Sequence, residues 1–376
     1  MTQLELGYLR SADELCGVAP AWNALWQRSD VNMPLARAEC VAQWLEHFGR
    51  GGEFLALVVK RGEAFLAALP LVGPRSAWFH SRGGLPANHW SLCGDFLLDG
   101  AADEAAVCQL LAEGLNQAPW PLVCLAPVAY TARRWRLLAA ATAGRGLMTL
   151  AVDCDGVGQV RLDGSWQNYL AGRSGNHRRY LQKARRRAER AGELSLEVYT
   201  QAPAAEIEAL LRRGCEIEDR SWKGAAGTSI LRSPRIFECY VEQAKRLAES
   251  RHLQLTFLRH CGRPIAFEYG CRAKGTYFSP KVGYDEAYAH FSPGQLLRAL
   301  LFERFFAAGE LALVDFWGPL SDATAKWTTD RYRVGKLWIA PRRPCSRLLL
   351  AGYAALRPAR QWASQLRTNG AISTAL

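Results

Sequence analysis

The chain has 376 residues, 49% hydrophobic and 22% charged, with a net charge of +12. That composition fits a globular protein and not a disordered one, and the length favours two domains over one core. No apolar run reaches the length of a membrane span, and the opening residues lack the apolar block of a secretory leader, so a cytoplasmic protein is expected.

The predicted elements follow in chain order. Leu25 and Trp26, then Val41, Trp44, Leu45 and Phe48, fall at helical spacing. Phe54–Val59 and Ala64–Val72 read as a hairpin around Lys60-Arg61-Gly62-Glu63. Trp90–Leu98 is expected as a strand, Asp103–Leu115 as a helix and Leu122–Leu125 as a short buried strand. The Gly/Asp-rich stretch Val152–Gly164 reads as a domain boundary. Ser165–Arg190 then reads as one or two helices with arginine on every face, and Ala204–Glu218 as another helix. Leu253–Arg259 and Pro264–Cys271 form a second hairpin, followed by strand Thr276–Tyr284, helix Leu296–Phe306 and strand Leu313–Phe316. A helix around Asp322–Tyr332, a strand Lys336–Ala340 and a basic helical tail over 346–376 close the chain. Hairpin, strand, helix, strand thus occurs twice, which predicts domains over 1–155 and 156–345.

The eleven cysteines are scattered, with no CxxC and no zinc spacing. Cys40, Cys108, Cys124 and Cys239 sit among apolar residues and read as buried reduced thiols, and no metal is expected. The charge is local. Eight Lys/Arg and one acid between Arg173 and Arg190 carry +7, leaving +5 elsewhere. Such a segment suits an anionic partner: an acidic carrier protein, a phosphorylated cofactor or nucleic acid. Nucleic acid is less favoured, because Tyr180 is the segment's one aromatic residue.

Ser292-Pro293-Gly294 opens the Leu296–Phe306 helix. Ser is a favoured N-cap, Pro tolerates the first turn, and Gly admits close approach of a ligand. Such a helix start either is an ordinary cap or holds a phosphate-bearing cofactor.

The second half resembles the CelD-like, cellulose-biosynthesis-type branch of the GNAT N-acetyltransferases, which is related to the Fem-type aminoacyltransferases with two GNAT domains in tandem. The matching blocks are Ser174–Arg187 with Gly192, Arg220–Gly224, Gly262–Phe267, Gly283–Asp285 with Ser292–Gly294, Val314–Gly318 and Lys326-Trp327. The first half matches through Pro34, the Trp44 helix and Leu69-Pro70-Leu71.

The resemblance implies an α/β (α+β) protein of two tandem GNAT-like domains with mixed sheets. It also implies acyl transfer from acyl-CoA, or from a phosphopantetheine-linked carrier protein, to an amine of a small molecule or sugar. The cofactor would lie on Tyr284, Ser292, Pro293, Gly294 and Gln295. One glycine in this turn departs from the longer family loop and leaves the donor's identity open. Asp315 or Glu268 would take the amine's proton, with Lys326 in a family position facing donor or acceptor. Asp315 has a competing assignment, capping the Ser321-Asp322 turn, and Trp327 reads as core. Trp222, Lys223, Asp285 and Trp317 would contact the acceptor. The alternatives are a Fem-type ligase using aminoacyl-tRNA and a non-catalytic nucleic-acid-binding protein.

Overall fold

The computed structural model describes residues 3–75 and 81–356. The first half runs β1 (Glu5–Leu9), α1 (Ala12–Gly17), α2 (Ala19–Arg28), α3 (Ala38–Phe48), β2 (Gly52–Arg61), β3 (Ala64–Pro74), β4 (Arg82–Gly84), β5 (Leu97–Leu98), α4 (Glu104–Asn116), β6 (Leu122–Val128) and α5 (Arg133–Gly144). Then follow β7 (Met148–Arg161), α6 (Trp166–Ala171), α7 (Gly175–Ala191), β8 (Leu194–Tyr199), α8 (Ala204–Asp219), α9 (Trp222–Ala225) and α10 (Pro234–Glu249). Last come β9 (Leu253–His260), β10 (Arg263–Ala273), β11 (Thr276–Tyr284), α11 (Pro293–Ala308), β12 (Leu313–Pro319), α12 (Asp322–Ala325) and β13 (Asp330–Ala340). A helix over 344–356 follows, and the rest of the expected tail lies outside the described residues.

One mixed sheet runs through the molecule in the order β1-β2-β3-β4-β6-β13-β7-β12-β11-β10-β9-β8, with β5 on β3. Each half contributes an antiparallel hairpin, β2–β3 or β9–β10, and one parallel pair, β4–β6 or β11–β12. A helix crosses over between the two strands of each parallel pair, as parallel pairing requires. β13, although last in sequence, pairs with β6 on one side and with β7 on the other, tying the halves together.

Several expectations change here. Trp90–Leu98 is strand only at Leu97–Leu98, and the strand that follows the first hairpin is the glycine-rich Arg82–Gly84. Val152–Gly164 is mostly the body of β7, whose glycines sit within an extended strand. Residue 155 therefore falls inside a strand shared by both halves. The helix expected at Asp322–Tyr332 stops at Ala325, because β13 begins at Asp330 and claims the remainder.

Apolar cores flank the sheet on both faces. Trp22, Trp26 and Trp44 pack with Leu211, Tyr240, Phe257 and Phe267, so α1–α3 and α8/α10 share one apolar layer. Tyr240 donates to the Trp90 carbonyl and Gln43 to that of Cys239, hydrogen bonds that stitch this layer between halves. On the opposite face α4 and α5 cover the first half, and α6, α7 and α11 cover the second. All eleven cysteines are unpaired; Cys40, Cys108 and Cys239 are buried, Cys124 is half-buried, and Cys16, Cys154, Cys261 and Cys345 are exposed. Among the described residues no helix is long and apolar enough to cross a membrane.

Candidate active site

β11 and β12 define the site. They pair in parallel only from Thr276/Leu313 to Phe278/Asp315. β11 then continues to Tyr284 beside β10, while β12 bulges away between Asp315 and Pro319. The two strands thus separate beyond Phe278 and Asp315. At the bulge Trp317 has φ +53°, a left-handed conformation that costs a bulky residue about 1–3 kcal/mol. Its N–H donates to Asp315 Oδ1 (2.7 Å) and its ring meets Phe278 edge-on, interactions that hold the strained turn.

On one face lies the start of α11. Ser292 takes φ +57° and its side chain does not cap the helix, which corrects the expected capping role. Its Oγ accepts from the Tyr180 hydroxyl of α7 instead (2.6 Å). The N–H groups of Gln295 and Leu296 turn back to the Ser292 carbonyl, so Gly294 offers the free first-turn N–H. A β-carbon on Gly294 would make ordinary contacts with Tyr284 and Val282, at 3.7 and 4.0 Å, and meet nothing nearer, so the turn is uncrowded at this position. Gln295 accepts from the indole of Trp327, which is fully buried against Phe302 and His177, as a core residue should be.

α7 lies across this turn. Its buried stripe is His177, Leu181, Ala184 and Ala188, so the basic residues occupy the solvent side and not every face. Arg187 donates to the His290 carbonyl, and Arg185 pairs with Glu189 and Glu303. Arg178, Lys183, Arg186 and Arg190 are exposed and make no ion pair among the described residues.

On the other face is a cleft of about 440 Å3 between the halves. The loop Asp30–Met33, the segment 85–95 and residues 127–134 form one wall, and β7, β11, β12 and β13 the other. The turn between β10 and β11 positions the first wall. Lys274 donates to the carbonyls of Trp26, Ser29 and Val31, and burial lowers its pKa to about 8. Asn32 adds a hydrogen bond to Thr276.

Asp315 faces this cleft and is 4% exposed. Gln159 donates to its Oδ2 at 2.9 Å, and the Tyr332 hydroxyl approaches Oδ1 at 3.4 Å. Burial raises its pKa above the ordinary carboxylate range, against the lowering effect of those donors. It has no contact with the Ser321-Asp322 turn, so the capping assignment falls away.

Glu268 is on the opposite face, where strand alternation puts it beneath α11. Its Oε1 accepts from Tyr277 (2.6 Å), and Ser279 lies close enough to act on the carboxyl as well. Burial raises its pKa, partly offset by the buried Arg298. The two candidate bases therefore do not act on one point. Lys326 is exposed at the end of α12, on the α7 side with His177, and is not brought to Asp315.

The acceptor residues also separate. Trp317 lines the cleft, while Trp222, Lys223 and Asp285 do not. Trp222 is 61% exposed on α9. Lys223 is held by Glu218 and the Val282 carbonyl. Asp285 is buried, pairs with Arg220 and Arg263 and caps the following turn through Ala287 N–H, so its oxygens are committed internally. Sequence reasoning missed Gln159, Tyr332, Asp155 and the ion triad in which Arg134 binds Asp30 and Asp95. Asp155 and Gln159 lie in the stretch read as a linker, and nothing local distinguishes Arg134 from the neighbouring Arg133.

A parallel strand pair that splays over a helix start is the arrangement of a GNAT domain. The acetyltransferase (GNAT) domain family matches residues 175–327. The fold is thus a GNAT fold with a mixed sheet. FemX superposes with a TM-score of 0.56 at 10% identity, covering 92% of this chain and 99% of that one. The C-terminal DUF2156 domain of a protein from Agrobacterium fabrum assigned to the lysylphosphatidylglycerol synthetases gives 0.52 at 12%, covering 91% and 96%. A tandem GNAT protein from the clavulanic acid pathway gives 0.47 at 15%, covering 90% and 99%. At these identities the likeness is one of fold. No curated protein sequence matches the chain significantly.

Proposed function

We propose that the chain is an N-acyltransferase that moves an acyl group from a phosphopantetheine thioester to an amine. The observation that carries this reading is the gap between β11 and β12, with an open helix start on one face and a buried carboxylate in a cleft on the other. The donor's pyrophosphate and pantetheine arm would lie along Tyr284, Ser292, Pro293, Gly294 and Gln295, so that its thioester reaches the gap. Asp315 would take the ammonium proton, and main-chain N–H groups of β11 beyond Phe278 would polarise the carbonyl. In this geometry Glu268 supports the sheet beneath α11 and does not meet the amine.

The CelD-like motifs favour a small molecule or sugar destined for exopolysaccharide or envelope synthesis. The donor is acyl-CoA or an acyl carrier protein, whose acidic surface would meet α7. A second reading, a Fem-type ligase taking aminoacyl-tRNA, draws on the same exposed arginines. In either case the setting would be the cytoplasm.

Thermal shift tests the proposal. A ligand at about 100 times its Kd stabilises by about 2.7 kcal/mol. Acetyl-CoA, longer acyl-CoAs and acyl carrier protein are each titrated, with aminoacyl-tRNA as the rival. If none raises the melting temperature, the reading fails; a shift with tRNA alone selects the second reading.

A further inference from the structure

The cleft facing Asp315 has a charge opposite to the protein's. Its lining contains four carboxylates, Asp30, Asp95, Asp155 and Asp315, and one guanidinium, Arg134. That guanidinium is already shared by Asp30 (3.0 Å) and Asp95 (2.9 Å). Among the described residues no lysine lines the cleft, although the chain carries 47 Lys and Arg. The remaining wall is largely apolar, with Val31, Met33, Leu85, Leu92, Phe278 and Trp317.

We infer that the acceptor is a compact amine on an apolar body, of the arylalkyl or alkylamine class, carrying no phosphate. The inference rests on the acyl-transfer reading and narrows it. An ammonium group entering the cleft gains from the carboxylates, and the apolar body is desolvated against aromatic and aliphatic walls. A phosphate would have to lose its water beside carboxylates with no free cation to meet it. A nucleotide-linked or phosphorylated amino sugar therefore does not fit. A volume of about 440 Å3 lies within the usual range for small-molecule sites.

The reaction balances without a further reactant. One ammonium proton passes to Asp315 and on to solvent. The free amine attacks the thioester carbonyl, the C–N bond forms and the C–S bond breaks. The second proton, released as the amide forms, goes to the departing thiolate.

The test uses the full chain. Phenethylamine, tryptamine and hexylamine are compared with glucosamine 6-phosphate and UDP-glucosamine, by calorimetry without donor and by thiol release from acetyl-CoA. The apolar amines should bind, and their affinity should fall about tenfold in Asp155→Lys, a change typical of a close charge. Tighter binding of the phosphorylated amines than of the apolar ones, or no amine binding in a protein that is stabilised by donor, overturns the inference. Amine binding without any donor binding or thiol release upholds the cleft's selectivity and instead sinks the acyl-transfer reading.

Discussion

The two parallel strand pairs, one in each half, share a topology and differ in what they leave open. In the first half β4 is three residues long and ends where its pairing with β6 ends. The indole of Trp120 covers Gly83 so closely that a β-carbon there would clash with the ring, and one on Gly84 would press on the Cys124 carbonyl. The following helix, α4, is capped by its own Asp103 and has Glu104 in the first turn. Carboxylates at that end repel an anion. In the second half β11 runs six residues past its pairing with β12, α11 has no acid in its first turn, and arginines overhang it. A duplicated unit thus keeps one copy as scaffold and leaves the other its gap.

The largest expected effect comes from Asp315→Asn. Losing the proposed base should lower kcat/KM by about 10² to 10⁴, as general-base removal does. Because burial raises the Asp315 pKa, the acid limb of the wild-type pH profile should lie above the ordinary carboxylate range, with activity rising as Asp315 ionises. The residual activity of the Asn variant should lack that limb. A folded pKa above the unfolded one favours the folded state at low pH, and this contribution is lost as pH rises through the folded pKa. The Asn variant should therefore melt at neutral pH no lower than wild type; a large drop would assign the activity loss to unfolding.

Gly294→Trp comes next. It should abolish donor-induced stabilisation, about 2.7 kcal/mol at 100 times Kd, in a free protein that still melts cooperatively. The opposed substitution, Gly83→Ala, should destabilise the free protein by about 1–3 kcal/mol through overpacking against Trp120 and leave donor binding intact. If the two variants exchanged effects, the scaffold and donor assignments would be reversed. On α7, replacing Arg178, Lys183 and Arg186 by Gln should raise KM for a carrier-protein donor severalfold at low salt. The same change should affect a CoA donor less.

The hairpins, the α11 helix and the strand pair around it were legible in the sequence, because alternation, turn residues and helical spacing are local. β7 was not. Its glycines resemble a linker, and only pairing with β13, eleven residues long and about 180 positions away in sequence, makes them strand. The α12 region failed for the same reason, since β13 captures residues with adequate helix propensity. Of the candidate residues, Asp315 and Trp317 share the cleft because β12 carries both. Glu268 went to the other face through strand parity, which a base assignment cannot reveal without knowing which face is the cleft. Arg134, Asp95 and Asp30 converge from three segments, and no local pattern announces such a meeting.

The smallest expected effect is also the most specific to the comparison. Asp103 Oδ1 accepts from Ala106 N–H at 3.1 Å, and removing such a cap costs about 1 kcal/mol. In a chain of this length Asp103→Ala should lower the melting temperature by about 2 °C. The informative readout is stoichiometry. If the Asp103 carboxylate alone kept donors from the first half, its removal would uncover a second site, and calorimetry with an acyl-CoA would rise from one equivalent to two. Trp120 over β4 argues that it will stay at one, because the proposed donor path needs an uncovered strand end as well as a helix start. One equivalent in Asp103→Ala and none in Gly294→Trp would assign donor binding to the second half alone.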